Sequence, residues 1–297
     1  MRLSADRSSI RVVVLTNDTR VGRAVLDGLV ARGIEIAAVI VESSHALRYC
    51  RRAKTPAGRV VETPVAIARS VWRRIRARRR AAPHIGPKTR LIVAASRDDR
   101  STRRRLASLH PDILVLSGVG LVGSELLSIP TMGTLNSHPG LLPWVRGNGV
   151  VAHAIERGVA VGSTCHRVDA GIDTGPILGR RLLPVDRTDT LETLEERAAA
   201  LGTQLMVDVV AGAIARGELP GGIEQQERYP LCRWRRLDER QAAADLVASG
   251  RAFELFLRWK SLVIDRNTGD LPLAIASGFV PPISVAPLPP RRAPGAA

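Results

Sequence analysis

Two short apolar runs rich in β-branched residues, 10–16 (IRVVVLT) and 34–41 (IEIAAVIV), stand either side of one helix-length segment. A short continuous apolar run of this kind belongs to a strand buried on both faces. Between the runs Val21, Val25, Leu26 and Leu29 recur at helical spacing, and Gly33 supplies the stop. Strand, helix and strand at this spacing form a βαβ unit, which implies a parallel sheet.

The pattern continues with a strand over 90–95, a helix over 98–109 and a buried strand over 113–116 that runs into Ser117-Gly118-Val119-Gly120. Further on come a strand end at 134–136, a helix over 149–157, a strand over 163–168 and a long helix over 191–215. That last helix carries Leu191, Leu194, Ala198, Leu201, Leu205 and Val209 on one stripe. After Gly217 to Gly222 the alternation fades, though 238–260 reads as helical. The reading divides the chain into a core over 1–220, a small extension over 221–280 and a Pro- and Ala-rich, disordered tail over 281–297. Within the core, residues 45–88 read as a basic insertion. Pro64 opens a helix there, with Val65, Ala68, Val71, Trp72 and Ile75 on one face and arginines elsewhere.

Composition narrows the function classes. A hydrophobic share of 45% fills a real core, and aromatics at 3% leave aliphatic side chains to pack it. The net charge of +16 attracts polyanions or phosphorylated small molecules, and equally fits a coding bias toward arginine. Cys50, Cys165 and Cys232 are odd in number and widely spaced, which disfavours a disulfide framework or structural zinc. No signal-peptide pattern or apolar run of about 18 residues is present, so the expectation is a cytoplasmic protein without a transmembrane segment.

The chemistry concentrates in two blocks. The first runs from Gly133 through Asn136, His138 and Pro143 to Arg146-Gly147; the second runs from Gly162 through Thr164 and Asp173 to Ile177. Asn136 and His138 are two apart on an extended segment, so both side chains face one way. They stand where a strand runs out into a proline-bounded loop, the carboxyl edge at which open parallel sheets bind ligands. Asp173 lies in a tight Gly/Asp loop that can fold back beside them. An amide donor, an imidazole and a carboxylate are what acyl transfer to an amine needs. The oxyanion wants a donor in place, and a proton must leave the attacking nitrogen and reach the departing one. A carboxylate beside His138 is expected to raise its pKa. Taken singly, an Asn-x-His or an Asp-x-Gly is more often structural; the combination is far more specific.

The combination resembles the formyltransferases that use 10-formyltetrahydrofolate. Their Asn-x-His-x-Ser-Leu-Leu-Pro, Gly-x-Thr and Asp-x-Gly-x-Ile stand here as Asn136-Ser-His138-Pro-Gly140-Leu-Leu-Pro143, Gly162-Ser-Thr164 and Asp173-Thr-Gly175-Pro-Ile177. Pro111 to Gly118 also matches the family's strand into its folate loop. The resemblance covers about residues 10–215 and is strongest over 111–180. It implies an α/β, Rossmann-like fold with a mostly parallel central sheet. It also implies catalytic roles for Asn136, His138 and Asp173, and a pterin held by backbone at Gly120, Leu121, Val122, Asp169, Ala170, Gly171 and Ile172. The acceptor is expected against Gly140, Arg146, Gly147 and Asn148. No metal is implied. Gly140 departs from the pattern, which usually has serine there.

Three acceptors compete. The loop Thr16-Asn17-Asp18-Thr19-Arg20 lacks the glycines that hold phosphate in the glycinamide ribonucleotide enzymes. Pro143-Trp-Val-Arg146-Gly147 resembles the methionyl-tRNA and sugar N-formyltransferases, of which the tRNA branch adds a β-rich domain. A small-molecule amine, phosphorylated and most simply a nucleotide-linked amino sugar, fits the compact core best. RNA contact through Arg73 to Arg80 is the less favoured partner, and a homodimer is among the assemblies the sequence allows. A hydrolase releasing formate and a non-catalytic folate binder stay open as other classes.

Overall fold

The computed structural model describes residues 10–17, 20–42, 89–225, 229–233, 237–263 and 269–271. The basic insertion expected over 45–88 and the tail over 281–297 lie outside the described residues. Seven strands form one sheet: β1 (Val12–Thr16), β2 (Ile36–Glu42), β3 (Arg90–Ala94), β4 (Ile113–Ser117), β5 (Gly133–His138), β6 (Gly162–Arg167) and β7 (Ile177–Leu182). Their spatial order is β3-β2-β1-β4-β5-β6-β7. The pairs from β3 to β5 are parallel, and β5-β6 and β6-β7 are antiparallel. The sheet is therefore mostly parallel, as the apolar runs imply. β1 and β4 are buried at every residue, as strands covered on both faces must be.

The helices are α1 (Arg20–Ala31), α2 (Arg100–Ala107), the single turn α3 (Ser124–Leu127), α4 (Val150–Arg157), α5 (Leu191–Arg216), α6 (Leu237–Ala248) and α7 (Arg251–Lys260). One layer of core joins α1 and α5 to the sheet through Val25, Leu29, Leu205, Met206 and Val210. The opposite face is closed by Leu106, Leu109 and Leu126 over Val13, Leu15 and Leu114. By length and apolarity α5 could cross a membrane, yet it is the central core helix and packs against β5, β6, β7 and α1.

The stretch 238–260, which reads as helical, holds two helices, α6 and α7. The break falls at Gly250, whose φ of 90° is a left-handed value that a glycine adopts without strain. Ala243, Val247 and Ala252 pack on α4 and α5, while Leu255 and Trp259 pack against Leu141, Trp144 and Val145. Farther along, Leu271 N–H donates to the Arg180 carbonyl and Gly269 carbonyl accepts from Leu182 N–H, extending β7 by a further edge. The extension is thus built onto the core.

The chain order reverses its direction across the sheet between β1 and β4. In open α/β sheets ligands bind at that switch, outside the carboxyl ends of the strands.

Candidate active site

Alternation along β5 puts Leu135 into the core, fully buried, and turns Asn136 away from it. Residue 138 is two farther on and shares that face. β6 runs antiparallel beside it, with Asn136 opposite His166 and His138 opposite Thr164. Opposed residues in such a ladder are side-chain neighbours, so the register alone brings His166 into the site. The loop from β6 to β7 then delivers Asp173, which holds a left-handed backbone at φ 52°.

Asp173 joins the groups. Its Oδ2 lies 3.5 Å from His138 Nδ1 and its Oδ1 lies 3.5 Å from His166 Nε2. Gly147 N–H donates to Oδ2 at 2.9 Å. His138 Nε2 lies 3.0 Å from the Val145 carbonyl and His166 Nδ1 lies 3.0 Å from the Arg167 carbonyl, so each ring donates there. Asn136 Nδ2 is 3.3 Å from His166 Nε2. One carboxylate, two imidazoles and one amide are therefore in mutual contact.

Burial alone raises the carboxyl pKa of Asp173. The His166 side chain at Oδ1, the charge of His138 and the Gly147 N–H together outweigh it and hold the group at about 2. His138 is buried, and the loss of water lowers its pKa more than the Asp173 charge and the Val145 hydrogen bond raise it. This reverses the expectation of a raised histidine, because desolvation of the imidazolium wins. In the neutral ring the Nε2 proton belongs to the Val145 carbonyl, and the lone pair sits on Nδ1 beside Asp173.

A cavity of about 710 Å³ opens on these groups. Asn136, His138, His166 and Asp173 line it. So do Gly120, Leu121 and Val122 on one side, Asp169, Ala170, Gly171 and Ile172 on another, and Gly147 and Asn148 beyond. The 169–175 loop is shaped by Asp169, whose Oδ1 accepts from Gly171 N–H at 3.0 Å and from the Thr174 hydroxyl at 2.7 Å. Gly175 is required there, since a Cβ would lie 2.0 Å from the Arg167 carbonyl oxygen. The 118–122 loop is held from below. Arg97 donates to the Leu121 carbonyl and pairs with the buried Glu42 at 2.7 Å.

Two residues expected at the acceptor, Gly140 and Arg146, face other partners in this structure. Gly140 is buried behind His138: a Cβ there would lie 3.0 Å from His138 Nε2 and 3.0 Å from Val145 Cγ2, so the site accommodates glycine where a serine would crowd the ring. Arg146 turns to backbone, donating to the Tyr229 carbonyl at 2.8 Å and reaching the Ile172 carbonyl at 3.4 Å. Neither is on the cavity wall. His166 is the residue that sequence reasoning passed over, although Thr164-Cys165-His166 shows the same alternation that marked Asn136 and His138. Thr164 has a supporting task. Its hydroxyl donates to the Gly140 carbonyl at 2.7 Å and accepts from Leu142 N–H at 3.0 Å, tying the proline-bounded loop to β6. Among the described residues, no group of three or more His, Cys, Asp or Glu is arranged to hold a metal ion.

The family described as Formyl transferase matches residues 10–210. The methionyl-tRNA formyltransferase of Pseudomonas entomophila (strain L48) is 41% identical over 121 residues, which are 40% of this chain and 39% of that protein. The enzyme of the same name from Pseudomonas paraeruginosa (strain DSM 24068 / PA7) is 36% identical over 170 residues, 55% of this chain and 54% of the relative. The chain thus matches about two fifths to one half of the length of these curated relatives. Among solved structures, a sugar N-formyltransferase from Shewanella sp FDAARGOS_354 superimposes with a TM-score of 0.50 at 17% identity, covering 82% of this chain and 87% of that one. A 4-N formyltransferase from Francisella tularensis gives a TM-score of 0.51 at 12% identity, covering 88% and 95%. At such identities the structural likeness is one of fold.

Proposed function

Because this chain belongs to the formyl transferase family, we propose that it passes the formyl group of 10-formyltetrahydrofolate to an acceptor amine. The observation that carries the proposal is the Asp173 carboxylate held against both imidazoles, with the Asn136 amide beside them, at one end of a cavity of ligand size. The cavity suits the donor: backbone edges at 120–122 and 169–172 alternate with the apolar side chains of Leu121, Val122 and Ile172. Those loops would hold the pterin of the donor, and the formyl group on N10 beside it supplies the reacting carbon.

The residues divide the work. Asn136 has two N–H donors; one goes to His166 Nε2 and the other is left for the formyl oxygen as charge gathers on it. His138 is neutral with its lone pair on Nδ1, which suits it to take the proton of the attacking amine and return it to the departing nitrogen. Asp173 stabilises the imidazolium that forms between those steps. His166 fixes the orientation of the Asn136 amide, since its own Nδ1 proton is committed to the Arg167 carbonyl.

For the acceptor we favour the amino group of a nucleotide-linked sugar. Beyond α5, from Leu237 on, the chain forms α6 and α7, which fold back on α4 and α5; the tRNA branch, by resemblance, is β-rich after its core. The identity of 41% to methionyl-tRNA formyltransferases favours tRNA as the second reading. It lies in a stretch of 121 residues, and a shared reaction accounts for it as well as a shared acceptor.

The deciding experiment follows tetrahydrofolate release from 10-formyltetrahydrofolate with nucleotide amino sugars, glycinamide ribonucleotide and charged initiator tRNA supplied in turn. Release with an amino sugar alone supports the favoured reading, and release with tRNA alone replaces it. Release without acceptor would make the protein a hydrolase, and tight folate binding without release a non-catalytic binder.

A further inference from the structure

The family match ends at residue 210, yet contacts to the site continue beyond it. Gln225 Nε2 lies 3.1 Å from the Asp173 carbonyl and 2.7 Å from the Gly175 carbonyl, so one side-chain amide donates to the backbone on either side of Thr174. The Tyr229 carbonyl accepts from Arg146 Nε at 2.8 Å. Cys232 brackets the next residue along. Its N–H donates to the Arg146 carbonyl at 2.8 Å, and its carbonyl accepts from Asn148 N–H at 3.1 Å. Between those two residues stands Gly147, whose N–H binds Asp173 Oδ2 at 2.9 Å.

Asp173 needs such restraint. At φ 52° it sits in the left-handed region, which residues with a Cβ adopt rarely and Asp less rarely than most, so outside contacts help to hold it there. Asp169 organises the loop from within, through Gly171 and Thr174. The Asp173 and Gly175 carbonyls take their side-chain hydrogen bonds from Gln225, outside the loop. Both hydrogens of that amide are committed, a double donation that a carboxylate cannot make.

We propose that Gln225 is a positioning residue for the transfer site: it holds the Asp173 backbone in its left-handed turn and so keeps the carboxylate between His138 and His166. Tyr229 and Cys232 secure the facing loop that presents the Gly147 N–H. The segment beyond the family core thereby belongs to the catalytic apparatus. The inference rests on the reading that Asp173 takes part in proton transfer.

The test compares full-length wild type, Gln225→Ala, Gln225→Glu and Asp173→Asn. Gln225→Glu keeps the shape and sets an acceptor against two carbonyls. Each protein is assayed for kcat and for the KM toward the formyl donor, and the Asp173 carboxyl is titrated by carbon-13 NMR in all but the Asn variant. In both Gln225 variants kcat should fall about 10- to 100-fold with KM nearly unchanged. The Asp173 titration should rise from about 2 toward 3.8. A titration left at the wild-type position in both variants overturns the proposal whatever kcat does. An unchanged kcat beside an inactive Asp173→Asn overturns it as well. Full activity in Asp173→Asn would instead remove the proposed role of Asp173, and the titration would still decide whether Gln225 places that carboxylate.

Discussion

At His138 two forces oppose each other, and the winner sets the resting state of the site. Burial strips water from the imidazolium and lowers its pKa, while Asp173 pulls the other way. A neutral base beside an ionised carboxylate can take a proton and have it stabilised at once. His138→Ala should lower turnover at least about 100-fold, with folate binding retained in equilibrium dialysis. The same groups predict an acid limit to stability. Asp173 falls from 3.8 in the unfolded chain to about 2 when folded, so its contribution is full above about pH 4 and fades as pH falls toward 2. That contribution is of the order of 2 kcal/mol. His138, whose folded pKa lies below 6.5, works in the same sense: the unfolded state takes up the proton first, so stability declines below about that pH. Urea unfolding between pH 5 and pH 2.5 should show a steeper loss in wild type than in Asp173→Asn.

Among the elements, α5 ties the halves of the core together. Thr190 caps it: its hydroxyl accepts from Thr193 N–H, and the Thr193 hydroxyl accepts in return from Thr190 N–H. Thr190→Ala should cost about 1 kcal/mol and leave kcat unchanged, since the cap stands away from the cavity. Leu205 is buried under the sheet, with its Cδ1 3.2 Å from where a Cβ on Gly179 would stand. Leu205→Ala should cost about 2–5 kcal/mol in urea unfolding. β7 shows why periodicity has limits. Ile177-Leu-Gly-Arg-Arg-Leu182 holds two arginines and a glycine and does not read as a buried strand. Arg180 is nevertheless 1% exposed, with its guanidinium 5.1 Å from the Trp144 ring centroid and a hydrogen bond to the Leu142 carbonyl. Arg181 pairs with Asp208 of α5 and Asp270 of the extension. Their partners lie 27–89 residues away in sequence, where no local pattern reports them.

For the whole molecule, the extension and the catalytic loop form one packed unit. Trp144 and Trp259 meet edge to face with ring centroids 5.1 Å apart, and both are buried. Trp144 sits in the loop that runs from His138 to Gly147, so a gap left at Trp259 is felt by the residues that hold Asp173. Trp259→Ala should lower stability by about 3–5 kcal/mol in urea unfolding. It should also reduce kcat, which distinguishes it from Thr190→Ala. Arg240 of α6 adds a bidentate pair to Glu195, which lines the cavity, so the extension reaches the site from a second direction.

By itself the amino-acid sequence determined the parallel part of the sheet, because buried parallel strands need continuous apolar runs and helices need apolar stripes. It also determined that Asn136 and His138 share a face, which follows from the two-residue period of a strand. Tertiary structure decided the rest of the site. His166 arrives through the register of β5 with β6, and Asp173 through a left-handed turn pinned by Gln225 from about fifty residues away. The direction of the His138 pKa depends on burial against carboxylate, and only the packed core sets that balance. Local periodicity records which way a side chain faces, whereas these distances and solvent exclusions exist only once distant segments have closed around it.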